Sequence, residues 1–301
     1  MEKATGNTPL KILMTGSSGF IGSHLTHYLR GHEIYHLESD LRHHGLVRTE
    51  VRDFQPDMIV HLGARTEVEQ SFYEQITFSE INYVGSVNLI EISREIPNFQ
   101  NFVFASTMEV YGRQPKHTVC DHLTTPYPNA PYAVAKYGVE KYLEYASRSY
   151  SLPYTIIRQT NCYGRKDNDF FVTEQIITQM LDNPDEIHLG YADPYRNFIY
   201  IDDMLDAWTA IINNPEKCKE KIFTLGPDNP IQIRDYVDII AQKIGWDGKV
   251  YWNTKPERPG EIYWLNSSGK LLEDTLGWIP KVTLSEGLDR TISWWRNVSK
   301  R

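Results

Sequence analysis

An α/β fold built on a doubly wound parallel sheet is the expectation from three observations in this 301-residue chain. An apolar run, Ile12-Leu13-Met14, leads through a glycine turn into a segment with Ile21, Leu25 and Leu29 at helical spacing. Further strand-like apolar runs alternate with helical periodicities through the first half of the chain. Polar residues collect just after these runs, where the carboxyl ends of parallel strands gather ligands.

Composition narrows the class. Hydrophobic residues make up 41% and charged residues 23%, with 31 basic and 39 acidic side chains and a net charge of -8. Arg42-His43-His44 is too short to be the basic patch of a nucleic-acid binder, so no nucleic-acid partner is expected. No apolar run approaches the roughly 18 residues of a membrane span, and the N-terminus lacks a signal-peptide pattern. Cys120, Cys162 and Cys218 are odd in number and scattered, which points to a reducing, cytoplasmic setting. The sequons at Asn266 and Asn297 would go unmodified there. No metal is expected.

Residues 1–9 read as a loose tail. A first strand over 12–14 precedes Thr15-Gly16-Ser17-Ser18-Gly19-Phe20-Ile21-Gly22. Strand, glycine turn and helix form the context of a dinucleotide fingerprint. Gly16 serves the tight turn, Gly19 the approach to a pyrophosphate, and Gly22 close helix–strand packing. Phe20 and Ile21 open a helix whose N-terminus favours the phosphate charge and which runs to about Arg30, with Gly31 ending it. A second strand over 33–37 places Glu38 at roughly the 20-residue spacing of a ribose-binding acid. A carboxylate there favours NAD over NADP. Asp40 competes for that role or bonds the adenine, and Arg42 would tolerate a 2′-phosphate.

A third strand over 58–62 ends in Leu62-Gly63-Ala64, and a helix over 81–96 has Asn82 near its start. A fourth strand over 102–105 ends in Ser106-Thr107-Met108-Glu109. A long helix over 131–150 and a strand over 155–157, ending at Asn161, complete the first lobe. Beyond it, helical spacing recurs near 171–182, 203–213, 234–245 and 284–295, with short strands near 187–189, 198–201 and 222–225. The division expected is a cofactor-binding domain over 1–162 and a smaller α/β substrate lobe over 163–301, with some later segments free to return to the sheet.

Tyr132-Ala133-Val134-Ala135-Lys136 places a phenol and an amine on one helix face, because residues four apart are neighbours. A phenol titrates near about 10. A nearby ammonium and a positive nicotinamide both favour the phenolate, which could then accept a hydroxyl proton while hydride leaves the same carbon. The bland reading is an exposed tyrosine and lysine.

Taken together these motifs resemble the extended short-chain dehydrogenase/reductases, and within them the nucleotide-sugar epimerase/dehydratase branch with its Rossmann-type sheet. His61-Leu62-Gly63-Ala64 resembles that branch's HLAA, and Ala105 to Gly112 its SSxxVYG. Asn161-Cys162-Tyr163-Gly164 resembles NxYGP, with Arg165 in place of proline. Arg196 to Asp203 resembles RDFxYVDD, while Arg258-Pro259-Gly260-Glu261 and Leu276-Gly277-Trp278 resemble RPGE and LGW. The likeness runs from about residue 10 to 296.

The resemblance implies Tyr132 as base, Lys136 as its partner, and Thr107 as the hydroxyl bonding the sugar 4-oxygen. Ala105 and Asn82 would border NAD. Asn161, Arg196 and Arg258 would contact the nucleotide diphosphate, for which arginine's planar fork is suited. A homodimer is implied, joined through a four-helix bundle of the helices near 81–96 and 131–150. Thr107-Met108-Glu109 departs from the Thr-Asp-Glu of dTDP-glucose dehydratases: a thioether has no proton to give, so Met108 is a packing or substrate-lining residue. Glu109 remains a candidate carbon-5 acid/base, or else caps the turn. The readings are a 4,6-dehydratase-like enzyme passing through a 4-keto sugar, a 4-epimerase with no role for Glu109, an NADPH-dependent 4-keto-sugar reductase, and a non-catalytic NAD sensor.

Overall fold

The computed structural model describes residues 9–165, 168–254, 256 and 258–298. The expected tail falls outside them except for Pro9, as do Lys166, Asp167, Lys255 and Glu257 of the two expected loops. The chain divides into two compact units. One comprises the chain up to Val110, Ala130–Arg158 and Leu205–Phe223; the other comprises Tyr111–Asn129, Gln159–Met204 and the chain from Thr224. The boundary expected at 162/163 is therefore not a single crossing. The chain first changes units at 110/111, returns at 129/130 and leaves again at 158/159.

The first unit is built on a six-stranded sheet with strands in the order Lys221–Leu225, Tyr154–Gln159, Asn101–Thr107, Met58–His61, Lys11–Thr15, Glu33–His36. Lys11–Thr15 pairs in parallel with both Glu33–His36 and Met58–His61, and Met58–His61 in parallel with Asn101–Thr107. The order reverses at Lys11–Thr15, so the carboxyl ends of this strand and Met58–His61 flank the crevice where such sheets take ligands. Both central strands are buried along nearly their whole length, as continuous apolar runs in a covered sheet require. Leu13, Ile59, Phe102, Phe104 and Ile156 from the sheet pack with Val139 and Leu143 from the helix Pro131–Tyr150.

Many expected elements differ by a residue or more in extent, and three of the differences bear on the site. The helix expected over 81–96 runs from Gln75 to Ser93, with a π-helical segment at Glu80–Val84. Asn82 therefore sits inside a widened turn, fully buried, rather than near a helix start. The first helix stops at Tyr28, capped by the Leu29 amide on Leu25. The fourth strand extends over Asn101–Thr107, which puts Thr107 on the sheet itself. A helix at His44–Phe54 fills the interval between the second and third strands.

In the second unit, Asn161–Tyr163 pairs in parallel with Phe198–Tyr200, Tyr195–Arg196 antiparallel with Ile231–Gln232, and Glu186–His188 in parallel with Lys249–Tyr251. Phe198 stacks on Tyr236 of the helix Ile233–Ile244 with centroids 4.0 Å apart. The Tyr236 hydroxyl bonds that of Thr173 in the helix Val172–Asp182.

Candidate active site

The glycine turn has the shape of a phosphate cradle. Gly16 has φ +69°, and a Cβ there would stand 2.6 Å from the Gly63 amide nitrogen. A Cβ at Gly22 would stand 2.2 Å from the Gly16 carbonyl oxygen. The Gly19 amide donates to that same oxygen at 3.1 Å. Gly19 is also the N-cap of the helix Phe20–Tyr28 and supplies no side-chain cap. The first-turn amides of this helix are left for an anion, which the helix dipole favours. These residues therefore fit the pyrophosphate of a dinucleotide.

The turn after the second strand rests on a residue the sequence did not single out. Glu50, on the helix His44–Phe54, accepts from the Glu38 and Ser39 amides at 3.0 and 2.9 Å and from the Tyr35 hydroxyl at 3.0 Å. It fixes the turn after the second strand and leaves the Glu38 side chain exposed. Asp40, expected to compete with Glu38, is bonded by Arg42 through Nε at 3.0 Å and Nη2 at 2.6 Å in an exposed pair. Those bonds hold the Asp40 carboxyl at about 2, well below the usual range.

Thr15, His61, Ser86 and Asn82 form a buried relay. The Gly63 amide donates to Thr15 Oγ1 at 2.9 Å, and Thr15 Oγ1 lies 2.7 Å from His61 Nδ1. Ser86 Oγ donates to the Asn82 carbonyl at 2.6 Å and lies 2.8 Å from His61 Nε2. With the serine proton committed, His61 must donate from Nε2 and accept from Thr15 at Nδ1. Burial, with a smaller push from Lys136, holds His61 neutral down to about 3. The Asn82 amide closes on Arg65, accepting from its amide and donating to its carbonyl, both at 2.8 Å. Leu62, Gly63 and Ala64 lie between these anchors, so the π-helical turn that inserts Asn82 also fixes the loop over the cofactor cradle.

Thr107, Glu109, Tyr132 and Lys136 are brought together at the carboxyl end of Asn101–Thr107. Thr107 stands close enough to Tyr132 to favour its phenolate. Thr107 Oγ1 accepts from the Glu109 amide at 3.1 Å, at the start of the 3-10 turn Met108–Tyr111. Lys136 Nζ donates to the Ala105 carbonyl at 2.9 Å and lies 4.8 Å from the centre of the Phe104 ring. Tyr132 and Lys136 are both buried, against the bland reading of an exposed pair.

The expected lowering of the phenol by Lys136 is not what dominates. Burial first, then the Glu109 and Glu67 carboxylates, push Tyr132 well above its ordinary value, against the opposing effect of Thr107. Burial also brings Lys136 down to about 7, so the charge meant to favour the phenolate is itself weakened. Met108 is 1% exposed and packs in the core.

In the second unit, Arg196 and Arg258, expected on a diphosphate, converge on Glu261. Arg196 Nη2 lies 3.0 Å from Glu261 Oε1, and Nη1 donates to the Tyr195 and Ile262 carbonyls at 2.9 and 2.6 Å. Arg258 meets the same carboxylate through Nε at 2.8 Å and Nη2 at 2.9 Å. Asn161 is half-buried on its strand, opposite Phe198. Arg165, where the resembled motif has proline, bonds the Tyr200 hydroxyl at 3.0 Å and Asp202 at 2.8 Å.

Residues 12–226 match the family described as NAD dependent epimerase/dehydratase family. A UDP-glucose 4-epimerase of Thermotoga maritima, solved with UDP-glucose, is similar with a TM-score of 0.89 and 27% identity, over 96% of this chain and 99% of that one. A Thermus thermophilus UDP-glucose 4-epimerase, solved with NAD, has a TM-score of 0.86 and 28% identity, over 95% and 99%. A dTDP-D-glucose 4,6-dehydratase of Dictyostelium discoideum is 26% identical, over 95% of this chain and 82% of its own length. With a glycine cradle shaped for a dinucleotide and a buried tyrosine–lysine pair one helical turn apart, the chain belongs to the NAD-dependent epimerase/dehydratase family.

Proposed function

We propose that this enzyme oxidises a nucleotide sugar at carbon 4 and completes its reaction from the 4-keto sugar. The observation that carries the reading is the buried pair of Tyr132 and Lys136 one helical turn apart, with Lys136 seated on the Ala105 carbonyl and Thr107 near enough to favour the phenolate. Gly16, Gly19, Phe20, Ile21 and Gly22 hold the pyrophosphate of NAD, Glu38 the ribose, and Leu62, Gly63, Ala64, Asn82 and Ala105 border the remainder. When bound, NAD supplies the hydride acceptor, the later hydride donor and a positive charge. With the NAD charge and the Lys136 ammonium opposing the effect of burial, Tyr132 as the phenolate would take the proton of the 4-hydroxyl, while Thr107 holds that oxygen and Lys136 bonds a ribose hydroxyl. Asn161, Arg196 and Arg258 bind the diphosphate, whose oxygens would share the guanidinium donors with Glu261.

A ketone at carbon 4 acidifies the proton at carbon 5. Glu109 is the base in this reading, and its carboxylate acts electrostatically on the Tyr132 phenol. This supports water elimination of the 4,6-dehydratase kind, with Met108 giving no proton. The second reading is 4-epimerisation, favoured by likeness to the two UDP-glucose 4-epimerases; Glu109 then only caps its turn. Exposed Ile76, Val84, Val134 and Tyr145 on the helices spanning residues 75–93 and 131–150 support a homodimer through a four-helix bundle. Three free cysteines support a cytoplasmic setting.

The test is incubation of the purified protein with a panel of nucleotide sugars, read by mass spectrometry. A product lighter by one water, with no added cofactor consumed, establishes the dehydratase. A product of unchanged mass and altered retention establishes the epimerase, and consumption of added NADPH a reductase. Tyr132→Phe should abolish turnover and spare NAD binding; retained turnover would overturn the role of Tyr132.

A further inference from the structure

Glu140 lies one helical turn beyond Lys136, is fully buried, and has no part in the chemistry above. Its Oε1 accepts from Ser106 Oγ and from Arg158 Nε at 3.0 Å, and its Oε2 from Arg158 Nη2 at 2.6 Å. Arg158 is 2% exposed. A buried ion pair of this kind gives little net stability, since two apolar side chains filling the same space serve as well or better. Its placement says more. Ser106 stands between Ala105, whose carbonyl receives Lys136, and Thr107, which favours the Tyr132 phenolate. One carboxylate thus ties the helix of Tyr132 and Lys136 to the strand of Thr107 and, through Arg158, to the strand Tyr154–Gln159.

The groups around the Lys136 amine can be taken element by element. Tyr132 and Glu140 share its helix, His61 lies on Met58–His61, and Arg158 stands behind Glu140. Burial keeps His61 neutral and Tyr132 protonated. Burial opposes charge on Lys136, and Glu140 is the group that favours it. We propose that Glu140 is a positioning residue for the Tyr132–Lys136 pair: held by Arg158 and Ser106, its carboxylate keeps the Lys136 ammonium protonated and seated on the Ala105 carbonyl. The inference rests on Tyr132 and Lys136 being the reacting pair.

The test titrates lysine directly, with ¹³Cε-labelled lysine followed by NMR and Lys136 assigned by its loss in Lys136→Met. Glu140→Gln keeps the shape but strands the Arg158 charge, so it is paired with Glu140→Gln/Arg158→Met, which carries neither charge. The wild-type midpoint should lie near 7 and fall by about one pH unit or more in both variants. Glu140→Asp, which keeps both charges, should fall between. Midpoints that stay at the wild-type value in the variants that fold overturn the proposal. In parallel, kcat of Glu140→Gln/Arg158→Met should drop at pH 8 and recover toward pH 6, with KM unchanged; a uniform loss at every pH is the mark of a purely structural role and also overturns it. A shifted midpoint supports the proposal even if the wild type turns over no nucleotide sugar, an outcome that would instead remove the proposed function.

Discussion

Replacing Lys136 by methionine should make the protein more stable while abolishing turnover. Lys136 is 2% exposed, and burial lowers it from 10.5 to about 7. Because the folded value lies below the unfolded one, the unfolded chain binds the extra proton between those values, and wild-type stability falls as pH drops from 10.5 toward 7. At about 1.4 kcal/mol per pH unit, the full cost is about 5 kcal/mol at and below pH 7. Methionine removes that cost but leaves the Ala105 carbonyl without its donor, a loss of about 1–3 kcal/mol. The net gain expected is about 2–4 kcal/mol at pH 6, shrinking as pH rises and crossing zero near pH ~9. Urea unfolding of both proteins at pH 6, 8 and 10, followed by tryptophan fluorescence, measures it. A variant less stable than wild type at pH 6, or a difference independent of pH, would refute the idea that Lys136 is held at a cost for its chemistry.

Three further outcomes are expected. Gly22→Ala drives a methyl group to within 2.2 Å of the Gly16 carbonyl, so calorimetry should show NAD binding weakened at least about tenfold, or about 1.4 kcal/mol; unchanged affinity would mean the turn is not the cradle. His61 is neutral when folded down to about 3 but takes a proton near 6.5 once unfolded, so stability falls as pH drops below 6.5, by about 5 kcal/mol in all. His61→Gln should flatten that decline in urea midpoints taken at pH 7, 5 and 4. Glu261→Gln removes the charge shared by Arg196 and Arg258 and should cost about 3 kcal/mol in thermal unfolding, with added UDP raising the variant's melting temperature more than the wild type's.

Much of this arrangement was legible in the sequence because it depends on local pattern. The glycine turn needs glycine where a Cβ would strike backbone, and the spacing of Tyr132 and Lys136 is a property of one helix. Other parts depend on partners distant in sequence. Glu50 bonds the turn at Glu38 and Ser39 from the next helix, and nothing in its neighbours marks it. Nothing in the sequence shows that Arg42 closes on Asp40. The widened turn that buries Asn82 shows no break in apolar periodicity, so that helix reads as starting later than it does. The phenol of Tyr132 is set by burial against distant strands, which outweighs the neighbouring amine that the spacing alone displays.

The path of the chain between its two units bears on how the protein can be cut. The sheet-bearing unit is assembled from three separate stretches, and its edge strand begins at Lys221, long after the first lobe would end by linear reading. No single scission separates one unit from the other. A fragment ending near residue 162 would lack the strand that covers Tyr154–Gln159, exposing an unpaired sheet edge prone to self-association. Truncated chains and fused halves are therefore poor tools for this molecule, whereas two fragments co-expressed around an exposed loop retain every strand of the sheet between them.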